Sequence, residues 1–151
     1  MTSPMFQAFW LVCGLWCGIG GGLYTWFSMR KHVARGKFSQ QEVLGFAKGM
    51  ALWIFVPCLM LWGMQVSIPG DSSPLYFKWP APQRYMALAL QVLVWGALVY
   101  WVFFRSGATI LSKFRSATSK APAFMNSPAA MKFGVVAAVA VSLLALLNQD
   151  F

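Results

Sequence analysis

Four long apolar runs are the feature of this sequence that most restricts its fold. Charged residues occur in these runs only near one end, and the runs cover residues 6–28, 44–66, 84–104 and 131–147. An α-helix needs about 20 residues to cross the hydrocarbon core of a bilayer, which is about 30 Å thick. The pattern therefore predicts an all-α polytopic membrane protein with four transmembrane helices in a single transmembrane domain.

The composition points to lipid rather than water around these helices. Hydrophobic residues make up 59% of the 151 residues and charged residues 10%, whereas roughly a quarter of the residues in soluble domains are charged. A water-soluble core cannot hold that excess. The first run has no Lys or Arg ahead of it and no small-residue cleavage pattern after it, so we expect a permanent helix rather than a signal peptide.

Positive charge is distributed unevenly between the connections. Ten of the 12 Lys and Arg residues lie within residues 30–48 and 105–132, and the stretch between them holds only Lys78 and Arg84. Cytoplasmic connections carry the excess of Lys and Arg in membrane proteins. The net charge of +9 is thus better explained by membrane orientation than by direct contact with nucleic acid.

The same rule predicts the topology. Loops 29–43 and 105–130 are expected in the cytoplasm, loop 67–83 outside, and both termini outside, which is an N-out/C-out arrangement. This charge bias and the short loops are typical of a bacterial inner membrane.

Two connections carry patterned side chains. Tyr76, Phe77 and Trp79 in the outer loop favour an aromatic belt at the lipid headgroups. Residues 105–130 mix apolar Ile110, Leu111 and Phe114 with basic Lys113 and Arg115. This mixture fits either a short amphipathic helix on the membrane surface or a solvated loop.

Small residues recur at every fourth position in two of the runs. They are Gly14, Gly18 and Gly22 in the first run and Gly134, Ala138 and Ser142 in the last. Such spacing lets two helix backbones approach closely in lipid. These residues are predicted to form helix-packing faces, either within one chain or between copies. We favour self-association, because four helices alone enclose little volume.

No ionisable side chain lies in the interior of a predicted span. Proton-coupled transporters and intramembrane aspartyl proteases need such groups, so the sequence argues against both. Gln65 and Gln91 are the polar residues that lie deepest. They are predicted to form interhelical hydrogen bonds or, in the alternative, to line a pore.

The sequence predicts no metal site, no cofactor and no catalytic residue. His32 is the single histidine and is expected to be a solvated loop residue, which excludes a bis-histidine haem and histidine-based catalysis. Cys13, Cys17 and Cys58 are predicted to be apolar packing residues, because a zinc site normally has four ligands.

The leading hypothesis is a non-catalytic membrane subunit or scaffold that self-associates or binds another subunit. Its predicted contacts with a partner or with lipid headgroups come from six basic residues, namely Arg30, Lys31, Arg35, Lys37, Lys113 and Arg115. One alternative is an oligomeric pore, and a further alternative is an immunity protein against a membrane-acting toxin.

Overall fold

A computed structural model describes residues 8–68, 73, 75–119 and 121–147, with side chains as far as residue 144. All regular structure in this part of the chain is helical, so the all-α prediction is confirmed there. The extreme ends of the chain, part of the outer loop (69–72 and 74) and Lys120 lie outside the described residues. The chain divides into two compact units, Met1–Leu90 and Gln91–Phe151.

The first unit is built on a helical hairpin. Its first arm consists of α1 (Phe9–Cys13), a π-helical segment (Gly14–Gly20) and α2 (Gly21–Ala34), which follow one another without interruption. Its second arm is α3 (Gln40–Val66). All three parts of the first arm contact α3. This arrangement places the first two apolar runs side by side.

The turn of the hairpin is defined by local hydrogen bonds. Gly36 has a φ of 70°, a left-handed conformation that glycine adopts without strain. Ser39 and Glu42 then form a capping box at the start of α3. The Ser39 backbone N–H donates to Glu42 Oε2 at 2.8 Å, and the Glu42 backbone N–H donates to Ser39 Oγ at 3.1 Å. These bonds end one arm and begin the next.

Glycine permits the close approach of the two arms. A Cβ atom on Gly18 would lie 2.8 Å from the Phe55 backbone nitrogen and 3.0 Å from the Ala51 carbonyl oxygen. A Cβ atom on Gly14 would lie 2.9 Å from Cys58 Cβ, and one on Gly22 would lie 2.9 Å from the Ala47 carbonyl oxygen. The backbone of the first arm therefore rests directly on α3.

The middle of the first arm is a π-helical segment. A π-helix bonds each N–H five residues back, as the Gly21 N–H does to the Trp16 carbonyl. Gly14 and Gly18 both belong to this segment, and both face α3.

The chain continues through a 3₁₀ turn (Tyr76–Lys78) into α4 (Ala81–Phe104), and the boundary between the units falls inside this helix. In the second unit follow α5 (Gly107–Thr118), a 3₁₀ turn (Ala123–Asn126) and α6 (Pro128–Leu147). Its core consists of Val102, Ala108 and Met131, with neighbours that include Trp101 and Val135.

A tight corner joins α4 to α5. Ser106 has a φ of 61°, which is uncommon for a residue other than glycine. A Cβ atom on the next residue, Gly107, would lie 2.6 Å from the Trp101 ring and 2.8 Å from its carbonyl oxygen. Glycine at this position lets α5 begin directly against the end of α4.

Among the described residues, two helices are long and apolar enough to cross a membrane by length and composition, namely α3 and α4. Their ends at Val66 and Phe104 coincide with the ends of the second and third predicted spans. The first predicted span, residues 6–28, ends six residues before the helix does, because the helix continues to Ala34. Lys31 and His32 occupy its last turn, so the predicted loop 29–43 is largely helical.

The glycine contact yields a test of the hairpin. Gly18→Ala places a methyl group against the backbone of α3, and overpacking of this kind costs about 1–3 kcal/mol. Gly45→Ala is the matched control, since no atom lies within 4 Å of a Cβ there and alanine favours helix. We expect the Gly18 variant to unfold at lower temperature than the Gly45 variant in mild detergent. Equal unfolding temperatures would contradict the close contact.

Candidate functional site

Four exposed cations surround the turn of the hairpin. Arg30 and Lys31 belong to the last turns of α2, and Arg35 and Lys37 follow as the chain leaves it. We call these four residues the basic turn. All four were predicted as contact residues, and the structure places them within one short segment with their side chains open to the surroundings.

Arg30 differs from the other three cations in resting on aromatic rings. Its guanidinium carbon lies 4.6 Å from the centroid of the Trp26 ring and 5.4 Å from that of Phe27. The two rings meet edge to face at 4.8 Å. Because an aromatic face attracts a cation at these distances, the guanidinium is oriented while its N–H donors stay available. Sequence reasoning named Arg30 but missed Trp26 and Phe27, although their spacing of three and four residues was a usable signal.

Little acidic charge is present to balance the basic turn. Glu42 is the one acidic residue in the part of the chain that the structure describes, and its carboxylate accepts the Ser39 N–H of the capping box. The turn thus carries a local excess of positive charge. A surface of this kind attracts anions over a distance limited by salt screening.

His32 lies beneath the basic turn, which corrects the expectation of a solvated loop residue. It is a helical residue with a side chain only 6% exposed, and its Nδ1 atom is buried without a hydrogen-bond partner. Burial, followed by the charges of Lys31, Lys37 and Arg35, lowers the pKa of His32. The neutral imidazole is therefore the form that the fold accommodates.

The cysteines do not form a metal centre in the described residues. Cys13, Cys17 and Cys58 are free thiols, and no group of three or more metal-ligating side chains is found in this part of the chain. Cys58 instead packs against Gly14 across the contact between the two arms. A packing role suits that contact.

The two predicted small-residue faces differ in what covers them. Gly14, Gly18 and Gly22 are covered by α3 of the same chain. On α6, by contrast, no atom lies within 4 Å of a Cβ at Gly134, and Ala138 is exposed. Ser142 is half-buried and donates a hydrogen bond to the Ala138 carbonyl at 2.9 Å. The first face is therefore used within the chain, and the second is open.

The two glutamines lie in different units. Gln65, near the end of α3, is fully buried, and Gln91 on α4 is half-buried. The interhelical and the pore-lining roles of the two glutamines both stay predictions.

The aromatic residues of loop 67–83 are not all exposed. Trp79 is buried, and its indole N–H donates to the Ser73 carbonyl at 2.6 Å. Its ring centroid lies 6.4 Å from that of Tyr76, which in turn lies 6.4 Å from that of Trp10. The prediction that Trp79 contacts the lipid headgroups as part of an aromatic belt is therefore wrong.

The mixed segment of the third connection forms α5, so the solvated-loop alternative is wrong. Phe114 is buried and Leu111 is half-buried, whereas Lys113 and Arg115 are exposed. Part of the apolar side of α5 thus packs in the core of the second unit, through Ala108 and Leu111, whereas Ile110 is exposed. Its basic side remains on the surface.

Comparisons with protein-family models, with curated proteins and with solved structures find no match for this chain.

His32 predicts how stability depends on pH. A histidine with a lowered pKa binds fewer protons in the folded state than in the unfolded state. Its contribution to the free energy of unfolding is therefore complete above the pKa of the unfolded state, and it is lost as the pH falls towards the pKa of the folded state. We expect the unfolding temperature to fall between about pH 7.5 and about pH 5.5. In His32→Gln this dependence should flatten, since the chain has a single histidine. Identical pH profiles would rule out the buried neutral imidazole.

Proposed function

We propose that this protein is a non-catalytic subunit of a bacterial inner membrane, with four transmembrane helices and both termini outside. It self-associates through the open face of α6, and its basic turn meets an anionic surface or a partner subunit in the cytoplasm. The observation that carries this proposal is the large apolar surface that the helices leave exposed.

Exposed apolar side chains support a membrane environment for the helices. In α3 and in α4, only 11% of the most apolar stretch of 18 residues is buried inside the fold. The core helix of a soluble protein would be mostly buried. Large exposed apolar patches make soluble proteins associate in water. Large side chains such as Trp16, Val92 and Leu93 are highly exposed.

The other two apolar runs support four spans rather than two. The first arm of the hairpin is helical from residue 9 to residue 34, which corresponds to a length of about 35–40 Å. α6 contributes a further apolar helix of 20 residues. Both lengths suffice for a hydrocarbon core of about 30 Å.

The proposed topology can be tested in intact cells. Single cysteines would be introduced by Ser39→Cys, Ser116→Cys and Ser73→Cys into a chain whose three native cysteines are replaced by alanine. We expect a membrane-impermeant thiol reagent to label position 73 from outside and positions 39 and 116 only after the cells are opened. Release of the chain by alkaline carbonate, or labelling of position 39 in intact cells, would contradict the topology.

Self-association is proposed for α6 because its small-residue face is uncovered, whereas the equivalent face of the first arm is filled by α3. Close approach of two α6 helices would bring their backbones together at Gly134 and Ala138.

The assembly has a matched pair of variants. Ala138→Leu adds bulk on the proposed contact face, and Val136→Leu adds it at an exposed position elsewhere on the same helix. We expect Ala138→Leu to weaken association by about tenfold, with Val136→Leu unchanged. Subunit counting by photobleaching in dilute proteoliposomes measures both. A monomeric wild-type chain, or equal loss in the two variants, would contradict assembly through this face.

A further inference from the structure

Arg30 and the rings beneath it combine features that a simple cationic loop does not have. Residues 23, 27 and 30 share one side of α2, because residues three and four apart are neighbours on a helix. Leu23 is 52% exposed and Phe27 is 55% exposed. An uncovered apolar stripe thus leads directly to a guanidinium group.

We propose that this stripe, together with Arg30 and Lys31, forms a binding site for one anionic phospholipid. Arg30 and Lys31 contact the headgroup phosphate, and an acyl chain lies along Leu23 and Phe27. The inference deepens the anionic contact of the proposed function and rests on the membrane arrangement given there.

Charge complementarity selects an anionic occupant. Arg30 and Lys31 are both exposed, and Glu42 is engaged in the capping box on the following helix. Guanidinium groups bind phosphate through paired N–H donors, and the Trp26 ring, 4.6 Å from the guanidinium carbon, holds this group beside the apolar stripe. A zwitterionic lipid offers the same phosphate but carries a compensating cation.

The position of Arg30 favours a lipid over a soluble acidic protein. Arg35 lies five residues beyond Arg30 at the end of the helix, which corresponds to about 7 Å along the axis. A soluble partner approaching the turn meets Arg35 and Lys37 first. Arg30 sits further back, at the boundary between the cationic turn and the exposed apolar stripe, where a lipid phosphate and its chain lie.

The test is native mass spectrometry of the full chain in neutral detergent. Phosphatidylglycerol and phosphatidylcholine with identical acyl chains are added in turn. We expect phosphatidylglycerol to be retained about tenfold more strongly, and Arg30→Gln to reduce its retention by about fivefold, the effect of about 1 kcal/mol per cation at the membrane surface. Trp26→Leu, which keeps the charge, should also reduce retention.

Lys37→Gln is the matched control, since it removes the same charge from the same turn and Lys37 lies outside the proposed headgroup contact of Arg30 and Lys31. We expect its retention of phosphatidylglycerol to stay within about twofold of wild type. Equal loss in the Arg30 and Lys37 variants would reduce the site to general attraction and overturn it. Displacement of the lipid by an equal concentration of inorganic phosphate would also overturn it.

These outcomes separate the lipid site from the membrane arrangement. If the chain stays in the membrane in alkaline carbonate but retains both lipids equally, the result contradicts the lipid site alone. A chain that carbonate releases contradicts the arrangement and the site together.

Discussion

The direct contact between the backbone of the first arm and α3 is the constraint on which the rest of the first unit depends. At Gly14, Gly18 and Gly22 a methyl group would meet atoms of α3 at 2.8–2.9 Å. In lipid, apolar side chains gain nothing by leaving one apolar neighbour for another, so helices associate through dispersion and close approach. Glycine at these three positions lets the two backbones approach this closely.

The same contact determines which surfaces remain uncovered. When glycines face α3, the large side chains of the first arm point elsewhere, and Trp16 and Tyr24 are among the most exposed residues of the chain. A membrane protein can leave such residues outside, since lipid solvates them. The turn also brings His32 inward while Arg30 and Lys31 remain outside, so neighbouring residues of one helix end have opposite environments.

In the second unit the geometry depends on the tight corner between α4 and α5, and not on a row of glycines. Ser106 and Gly107 turn the chain so sharply that α5 begins against Trp101. The amphipathic helix then has a protein surface to cover, and Ala108 joins Val102 and Met131. Part of its apolar side is covered in this way, while Gly134 and Ala138 on α6 stay open.

The sequence by itself determined the helices. The four apolar runs and the charges between them predicted helical segments whose ends at Val66 and Phe104 the structure reproduces, because hydrophobic length and turn-forming residues act locally. Spacing also identified Gly14, Gly18 and Gly22 as small residues on one side of a helix. It could not show that α3 covers them while Gly134 and Ala138 stay open.

The tertiary structure alone decided the environments of residues whose neighbours are remote in the chain. The burial of His32 and Gln65, and the contact between Gly14 and Cys58 across 44 positions of sequence, depend on how two helices meet. No local pattern contains that information, because the register between two helices is set by the fit of their surfaces. The sequence thus determined where the helices lie along the chain, and packing decided which of their faces remain available for binding.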